Sequence, residues 1–374
     1  MTPESCESQS GRPAEDRVAP ADMHLAAAEA ALIATIYSPP RAREPWPVSN
    51  VLPSGTTRYY SLARWALVDA LRTYGVGAGD RVLVPEVICR ELLASINMLG
   101  ALPVFYPVGR QLHGCVPAQD VAAKAVVAVN YFGFPQRLDV FRAYCERTGA
   151  VLIEDNAQGL LSRDERGDLL GARGDAGLFS FRKTIAVPDG GAVVFNRRSE
   201  MPGAGVTFRR GAVDPRYRMK QAFRRISPRL GPAVTYKVID AVRQARRLLT
   251  GHAFPQAAPD AETRMPVAPP ACGMLARKLV VADPDLEGRR RRALYELVGR
   301  LAAGVAAAPV FPDLPPYVVP FGFPLVAAPE DSPAVAARFA GVGLTLWRWS
   351  DVPAAVAGES AGGDRHLLVV PFLW

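Results

Sequence analysis

Residues 151–196, VLIEDNAQGLLSRDERGDLLGARGDAGLFSFRKTIAVPDGGAVVFN, contain the pattern that decides the fold. The segment starts with a short apolar run, which predicts a buried strand that ends at Asp155. A second apolar run precedes Lys183, and the turn signal Asp189-Gly190-Gly191 leads into another strand. Because open α/β sheets bind ligands at the carboxyl ends of their strands, we expect the carboxylate and the lysine to meet there.

A buried carboxylate and a lysine at neighbouring strand ends suit a site for pyridoxal 5'-phosphate (PLP). A lysine amine forms a Schiff base with the PLP aldehyde and shuttles a proton, while an aspartate keeps the pyridine nitrogen protonated. Taken singly, Asp155 would be a cap or turn residue and Lys183 a surface lysine. Their joint spacing, together with Gln158 and the glycine pair, favours the cofactor site.

The runs I-E-D-N-A-Q, G-D-A-G-L-F-S-F and K followed by D-G-G resemble those of the DegT/DnrJ/StrS family of fold type I, PLP-dependent aminotransferases. Many members of that family aminate keto sugars on nucleotide carriers. The resemblance implies that Asp155 meets the pyridinium, Gln158 lies beside the ring, Ser180 touches the phosphate and Lys183 carries the cofactor. One departure is that this chain has two residues fewer between the serine and the lysine than the family usually has.

The family places its phosphate-binding turn at the N-terminus of a helix that precedes a G-x-G-x-G-D loop and a V-x-V-P strand. The same order occurs here, with one apolar helical face at residues 66–71 and the loop ending at Asp80. Counting back from Asp80 places the turn at Ala63-Arg64, whose backbone N–H groups would hold the phosphate. The literal motif Ser54-Gly55-Thr56 is the alternative, and it requires an insertion.

Three further sites follow from the resemblance. Cys89 stands where the family often has an aromatic ring stacked on the cofactor, and the alternative is a buried, small apolar cysteine. Asn130 and Tyr131 follow a buried strand near the substrate side, where a purely structural turn is the equal alternative. Arg210 lies in F-R-R-G, which corresponds to a segment that crosses between subunits in the family, and the resemblance therefore implies a homodimer.

Composition restricts the class of protein. The chain has 374 residues, of which 49% are hydrophobic, enough for a large and a smaller domain. A net charge of +8 permits an anionic substrate without requiring nucleic acid. Five widely spaced cysteines and four histidines indicate neither a disulfide framework nor a metal site. Because we find neither a secretory signal pattern nor a long apolar run, a cytoplasmic protein is expected.

The predicted fold class is α/β, with a mostly parallel sheet flanked by helices in the large domain and a smaller C-terminal α/β domain. We expect a disordered tail at 1–20, a large domain at 21–251, a linker at 252–270 and a small domain at 271–374. An N-terminal helix capped by Asp22 should open the large domain, and strands at 318–326 and 367–372 should flank a helix at 334–340 in the small one.

Two basic segments need a separate interpretation. Between residues 207 and 251 twelve Lys or Arg residues accompany two acids. A solvated helical face is the preferred interpretation, an entrance for an anionic substrate comes second, and a membrane surface is the least favoured. The arginine cluster Arg289 to Arg292 is also expected on a solvated helix surface.

The sequence therefore predicts a homodimeric PLP-dependent aminotransferase that transfers an amino group from a donor such as glutamate to a nucleotide-linked keto sugar or a similar keto acceptor. The alternatives are a catalytically silent or regulatory PLP-binding homologue and a PLP-dependent lyase or dehydrase on the same fold. The family's sugar dehydrases replace the lysine with histidine, and this chain retains Lys183.

Overall fold

The computed structural model describes most of the chain. The described residues are 25–40, 51–109, 111–115, 121–197, 214–250, 258–265, 270–271, 273, 275, 283–349, 353–356 and 366–373. The predicted tail at 1–20 and the candidate substrate residue Arg210 lie outside this part. The N-terminal helix begins at Ala27 with Ala26 as its N-cap, so the expectation that Asp22 caps it is wrong.

A seven-stranded sheet carries the predicted cofactor motif. Its strands are β1 (Thr56–Tyr60), β2 (Arg81–Pro85), β3 (Leu102–Tyr106), β4 (Ala125–Val129), β5 (Val151–Asp155), β6 (Ala176–Ser180) and β7 (Gly191–Phe195). The order is β1-β7-β6-β5-β4-β2-β3; all neighbours from β6 to β3 are parallel, whereas β7 runs antiparallel to both β6 and β1. Every residue of β4, β6 and β7 is buried, as expected for strands covered on both faces.

Helices cover this sheet and connect its strands. They are α1 (Ala27–Tyr37), α2 (Ala63–Thr73), α3 (Leu93–Asn97), α4 (Asp139–Thr148), α5 (Pro215–Thr250), α6 (Pro284–Ala302) and α7 (Ser332–Gly341). The apolar face predicted at 66–71 is the buried face of α2, which packs against β6 and β7. Helix α5 bends at Gly231, which has a φ of 73° and is followed by Pro232. Most of its basic side chains are exposed, in agreement with a solvated face.

A second, smaller sheet follows, in the order β10-β11-β9-β8, with all neighbours antiparallel. Its strands are β8 (Ala307–Pro309), β9 (Gly322–Ala327), β10 (Trp347–Trp349) and β11 (His366–Pro371). The strand predicted from residue 318 starts only at Gly322. The preceding backbone instead contacts the first sheet's loops, because Val319 N–H donates to Ser162 Oγ at 2.9 Å and Phe321 N–H donates to Phe132 O at 2.8 Å.

The expectation of a solvated arginine cluster is wrong for two of its members. Arg290 is 5% exposed and Arg291 is 1% exposed on α6. Glu287, one turn earlier on the helix, accepts hydrogen bonds from both guanidinium groups. The two cations are therefore buried because a carboxylate and several carbonyl oxygens replace their hydration.

Among the described residues, no helix has both the length and the apolar character required to cross a bilayer.

Candidate active site

A cavity lies at the carboxyl ends of β4, β5 and β6, facing the N-terminus of α2. Its volume of about 160 Å³ is far above the roughly 10–15 Å³ that one water requires. All nine described residues that the sequence predicts for the site line this cavity: Ala63, Arg64, Cys89, Asn130, Tyr131, Asp155, Gln158, Ser180 and Lys183. The fold thus brings together side chains from five separate segments of the chain.

Asp155 and Lys183 contribute opposite charges to the cavity. Asp155 ends β5, and its Oδ1 accepts a hydrogen bond from Ala157 N–H at 2.9 Å. Burial raises the pKa of Asp155, although the Lys183 charge acts in the opposite direction. Burial likewise lowers the pKa of Lys183 against the effect of Asp155. Among the described residues, neither Asp155 nor Lys183 has an ion-pair partner within 4.0 Å. A bound ligand of opposite charge would therefore stabilise the charged form of each group.

The N-terminus of α2 offers backbone donors to the cavity. Leu62 precedes the helix without a side-chain cap, and its carbonyl accepts the first helical bonds, from Trp65 and Ala66 N–H. The N–H groups of Ala63 and Arg64 therefore have no acceptor within the helix. Free N–H groups at a helix N-terminus form a binding site for an anion such as phosphate.

The glycine turn explains why this helix end can approach the strands. A Cβ at Gly191 would lie 2.3 Å from Ala63 N, and Gly190 N–H donates to Ser61 O at 2.6 Å. Gly191 pairs with Ser180 across β7 and β6, so the helix end lies over the serine. The alternative phosphate-binding turn, Ser54-Gly55-Thr56, lies at the other end of β7, where Thr56 pairs with Phe195.

Asn130 and Tyr131 have their polar atoms engaged within the protein. The Asn130 amide donates to Glu154 Oε1 at 2.9 Å and to Asn156 Oδ1 at 3.2 Å. Its carbonyl accepts from Gln136 N–H and from Arg173 Nη2, each at 2.9 Å. Tyr131 O–H donates to the Val87 carbonyl at 2.6 Å, and burial raises the pKa of Tyr131 well above its ordinary value. These bonds fix the turn and leave the Asn130 amide no hydrogen-bonding position for a substrate.

The side-chain amide of Gln158, unlike that of Asn130, keeps a hydrogen-bond donor available to the cavity. Its Oε1 accepts a hydrogen bond from Phe132 N–H at 2.6 Å, which fixes the orientation of the amide. Among the described residues its Nε2 has no hydrogen-bond acceptor, so this group can donate into the cavity. Phe132 itself has a φ of 55°, a left-handed conformation that costs a non-glycine residue about 1–3 kcal/mol. The strained backbone therefore presents the N–H that orients Gln158.

Cys89 is a protonated thiol beside a carboxylate. It hydrogen-bonds Glu91, and burial, followed by the Glu91 charge, raises the pKa of Cys89 to about 12. The side chain lines the cavity but provides no aromatic surface.

Besides several aliphatic residues, sequence reasoning missed one aromatic and two charged residues of the cavity wall: Trp349, Glu91 and Arg182. Arg182 adjoins Lys183 in the chain, and this adjacency was the available signal. Desolvation in the cleft, together with the charge of Arg64, lowers the pKa of Arg182. Trp349 ends β10 in the second sheet, and no local motif connects it to the site.

Several solved structures share this architecture. An aminotransferase, TlmJ, from Streptoalloteichus hindustanus is 20% identical, with 93% of this chain and 91% of that chain covered and a TM-score of 0.56. DesV from S. venezuelae, in complex with a ketimine intermediate, is 20% identical over 92% and 88% of the two chains, with a TM-score of 0.54. A protein from Streptococcus pneumoniae in its PLP form is 14% identical over 96% and 94%, with a TM-score of 0.52. At these identities the likeness establishes the fold.

The architecture, with its mostly parallel sheet and second small sheet, is that of the fold type I, PLP-dependent aminotransferases. Residues 61–224 match the family described as the DegT/DnrJ/EryC1/StrS aminotransferase family. This match agrees with the resemblance seen in the sequence, which is thereby confirmed. The matched segment contains both Asp155 and Lys183.

Proposed function

We propose that this protein is a PLP-dependent aminotransferase that transfers an amino group from an amino-acid donor, with glutamate the expected one, to a keto acceptor such as a nucleotide-linked keto sugar. The observation that carries the proposal is the shared cavity of Asp155 and Lys183, which also opens onto the N-terminus of α2. One lysine, one buried carboxylate and one anion-binding helix end are the groups that PLP requires.

The residues of the cavity fit PLP by their chemistry. The buried Asp155 carboxylate, with a single hydrogen bond from Ala157, would be stabilised by a protonated pyridine nitrogen. The N–H groups of Ala63 and Arg64, with the Ser180 hydroxyl, would hold the phosphate. The Arg182 guanidinium would add positive charge at the same end. Bound PLP would supply an electron sink that makes the α-proton of an amino acid acidic.

Lys183 has the properties of a proton carrier. Because burial lowers the pKa of Lys183, a larger fraction of the amine is neutral near pH 7 than in an exposed lysine. A neutral amine can attach to an aldehyde, and once another amine has displaced it from that bond it can accept a proton from a neighbouring carbon. Gln158 Nε2 is a donor that can orient a polar group in the cavity.

Several finer features also remain proposals. We propose a cytoplasmic homodimer in which Arg210 contributes to substrate binding. The cations Arg64 and Arg182 are suited to an anionic substrate group such as a carboxylate or a diphosphate. Cys89 and Glu91, in place of a stacked aromatic ring, favour a second candidate, a PLP-binding homologue without turnover.

The substitution Lys183→Ala tests the nucleophile. We expect the purified variant to lose the visible absorption of the PLP-loaded protein and its borohydride-reducible link to the cofactor. Lys124→Ala is the matched control, because Lys124 pairs with Asp80 at 3.1 Å on the surface. A reducible link that persists in Lys183→Ala would overturn the assignment.

Addition of amino acids to the PLP-loaded protein tests turnover. An aminotransferase should change to the spectrum of the aminated cofactor with glutamate, and keto sugars should then restore the original spectrum. An unchanged spectrum with every amino acid would favour the homologue without turnover. Aminated product, identified by mass spectrometry, would name the acceptor.

A further inference from the structure

Arg291 of α6 connects the segment that precedes β9 to the backbone of Lys183. Its five N–H donors all have partners: Nε donates to Glu287 Oε1 at 2.6 Å, and Nη1 donates to Pro320 O at 3.2 Å and Phe321 O at 3.3 Å. The remaining two N–H groups, on Nη2, donate to Lys183 O at 3.0 Å and Thr184 O at 3.3 Å. A guanidinium has five N–H donors, so every donor of this side chain has an acceptor.

Two of the four carbonyl groups that Arg291 binds, those of Lys183 and Thr184, lie in one short turn. Residues Phe181–Lys183 form a single 3-10 turn, and Thr184, which follows it, is 5% exposed. Without the guanidinium, buried carbonyl oxygens would lose charge-assisted hydrogen bonds. The turn that carries the Lys183 amine thus depends on a side chain more than one hundred residues away in the sequence.

The same guanidinium is linked to Gln158. Phe321, whose carbonyl binds Arg291, donates its N–H to Phe132 O at 2.8 Å. Phe132 N–H in turn donates to Gln158 Oε1 at 2.6 Å. A series of hydrogen-bonded residues therefore joins the backbone of Lys183 to the amide of Gln158, which lines the same cavity.

We infer that Arg291 is a positioning residue for Lys183, which it holds by its backbone so that the amine stays in the cavity with Asp155. This inference rests on the proposed role of Lys183. Arg291 does not line the cavity and touches no reacting atom; it acts through the backbone of the turn.

The neighbouring arginines of α6 provide matched controls. Arg292 Nη1 donates to the carbonyls of Pro315 at 2.6 Å and Val318 at 2.7 Å, and among the described residues it forms no hydrogen bond with the lysine turn. Arg291→Lys keeps the positive charge beside Glu287, but a single ammonium cannot reach both pairs of carbonyls. Arg292→Lys makes the same chemical change on the same helix. Arg291→Met removes the positive charge altogether. If this variant does not fold, the result for Arg291→Lys decides the test.

The primary measurement is the pH dependence with which the Lys183 amine of the PLP-free protein reacts with acetic anhydride, followed by peptide mass spectrometry. The titratable and charged groups around the amine, Asp155, Cys89, Arg182 and Glu91, are the same in all variants. In Arg291→Lys we expect the midpoint to move to higher pH, because a released amine leaves its buried position. PLP affinity, measured by absorbance titration, should fall about tenfold, as the loss of charge-assisted hydrogen bonds predicts.

The labelling midpoints of Arg291→Lys and Arg292→Lys decide whether Arg291 positions the Lys183 amine. An unchanged midpoint and unchanged PLP affinity in a folded Arg291→Lys variant would overturn the inference. Equal changes in Arg292→Lys would also overturn it, because they would indicate a general loosening of α6. If the wild-type protein does not bind PLP, the proposed function fails, while the labelling midpoint still tests the positioning of the amine.

Discussion

At the scale of single residues, Asp155 is a carboxylate whose charge is costly in the absence of a ligand. It is 8% exposed, and its pKa is raised because burial outweighs the favourable charge of Lys183. A group whose pKa is higher in the folded state favours folding below its ordinary pKa, and this contribution is lost as the pH rises through the raised value. In the PLP-free protein, ionised Asp155 therefore lowers stability at neutral pH.

The substitution Asp155→Asn should stabilise the PLP-free protein at pH 7 by roughly 1 kcal/mol or more, because it removes a buried charge. The advantage should shrink as the pH falls towards 3.8, the ordinary pKa of aspartate, where the wild-type carboxyl is neutral. Urea unfolding at several pH values measures both effects. Saturating PLP should stabilise the wild type more than the variant, because only the carboxylate pairs with the pyridinium. A variant that is less stable at every pH would contradict this account.

At the scale of secondary structure, the position of α2 over β6 and β7 forms the phosphate end of the site. The helix end approaches so closely that the side of β7 facing it has no room for a Cβ at Gly191. Ser61, just before the helix, accepts the hydrogen bond from Gly190 that fixes this contact. Gly190 and Gly191 therefore form the turn before β7 and also allow α2 to pack closely against that strand.

Gly191→Ala should displace the N-terminus of α2 and weaken PLP binding about tenfold or more, equivalent to about 1.4 kcal/mol. A Cβ there would lie 2.3 Å from Ala63 N, closer than atoms can approach without a backbone shift. Gly77→Ala is the control, because a Cβ at Gly77 meets nothing within 4 Å. Absorbance titration with PLP compares the two. Equal affinities would indicate that the phosphate is not held at this helix end.

At the scale of the whole molecule, both sheets contribute to the site. The first sheet provides Asp155 and Ser180, whereas Trp349 of β10 lines the same cavity and Arg291 of α6 holds the lysine turn. The division into a large domain at 21–251, a linker at 252–270 and a small domain at 271–374 stays a prediction. A ligand bound in this cavity contacts residues of both sheets and should therefore stabilise the whole chain.

PLP should raise the free energy of unfolding by about 2.7 kcal/mol at a free concentration one hundred times its dissociation constant. Thermal unfolding with increasing PLP measures the effect. Pyridoxal, which lacks the phosphate, is the control ligand and should stabilise much less at equal concentration, because the N–H groups of Ala63 and Arg64 then bind no anion. Equal stabilisation by both compounds would contradict a phosphate site at α2.

The sequence by itself determined the features that depend on local patterns. Apolar runs defined β4 and β5, the helical repeat defined α2, and the spacing of Asp155, Lys183 and the glycine pair predicted the chemistry. Parallel strand order then brought the carboxylate and the lysine to one cavity, because the carboxyl ends of adjacent strands lie at the same edge.

Only the tertiary structure decided which polar groups remain available and which are used within the protein. It placed Ala63 and Arg64, rather than residues 54–56, at the cavity, and it engaged all hydrogen-bonding positions of the Asn130 amide. It also buried Arg291 against the lysine turn and brought Trp349 to the site. These outcomes depend on contacts between residues far apart in the chain, whose desolvation and hydrogen bonding no local sequence pattern records.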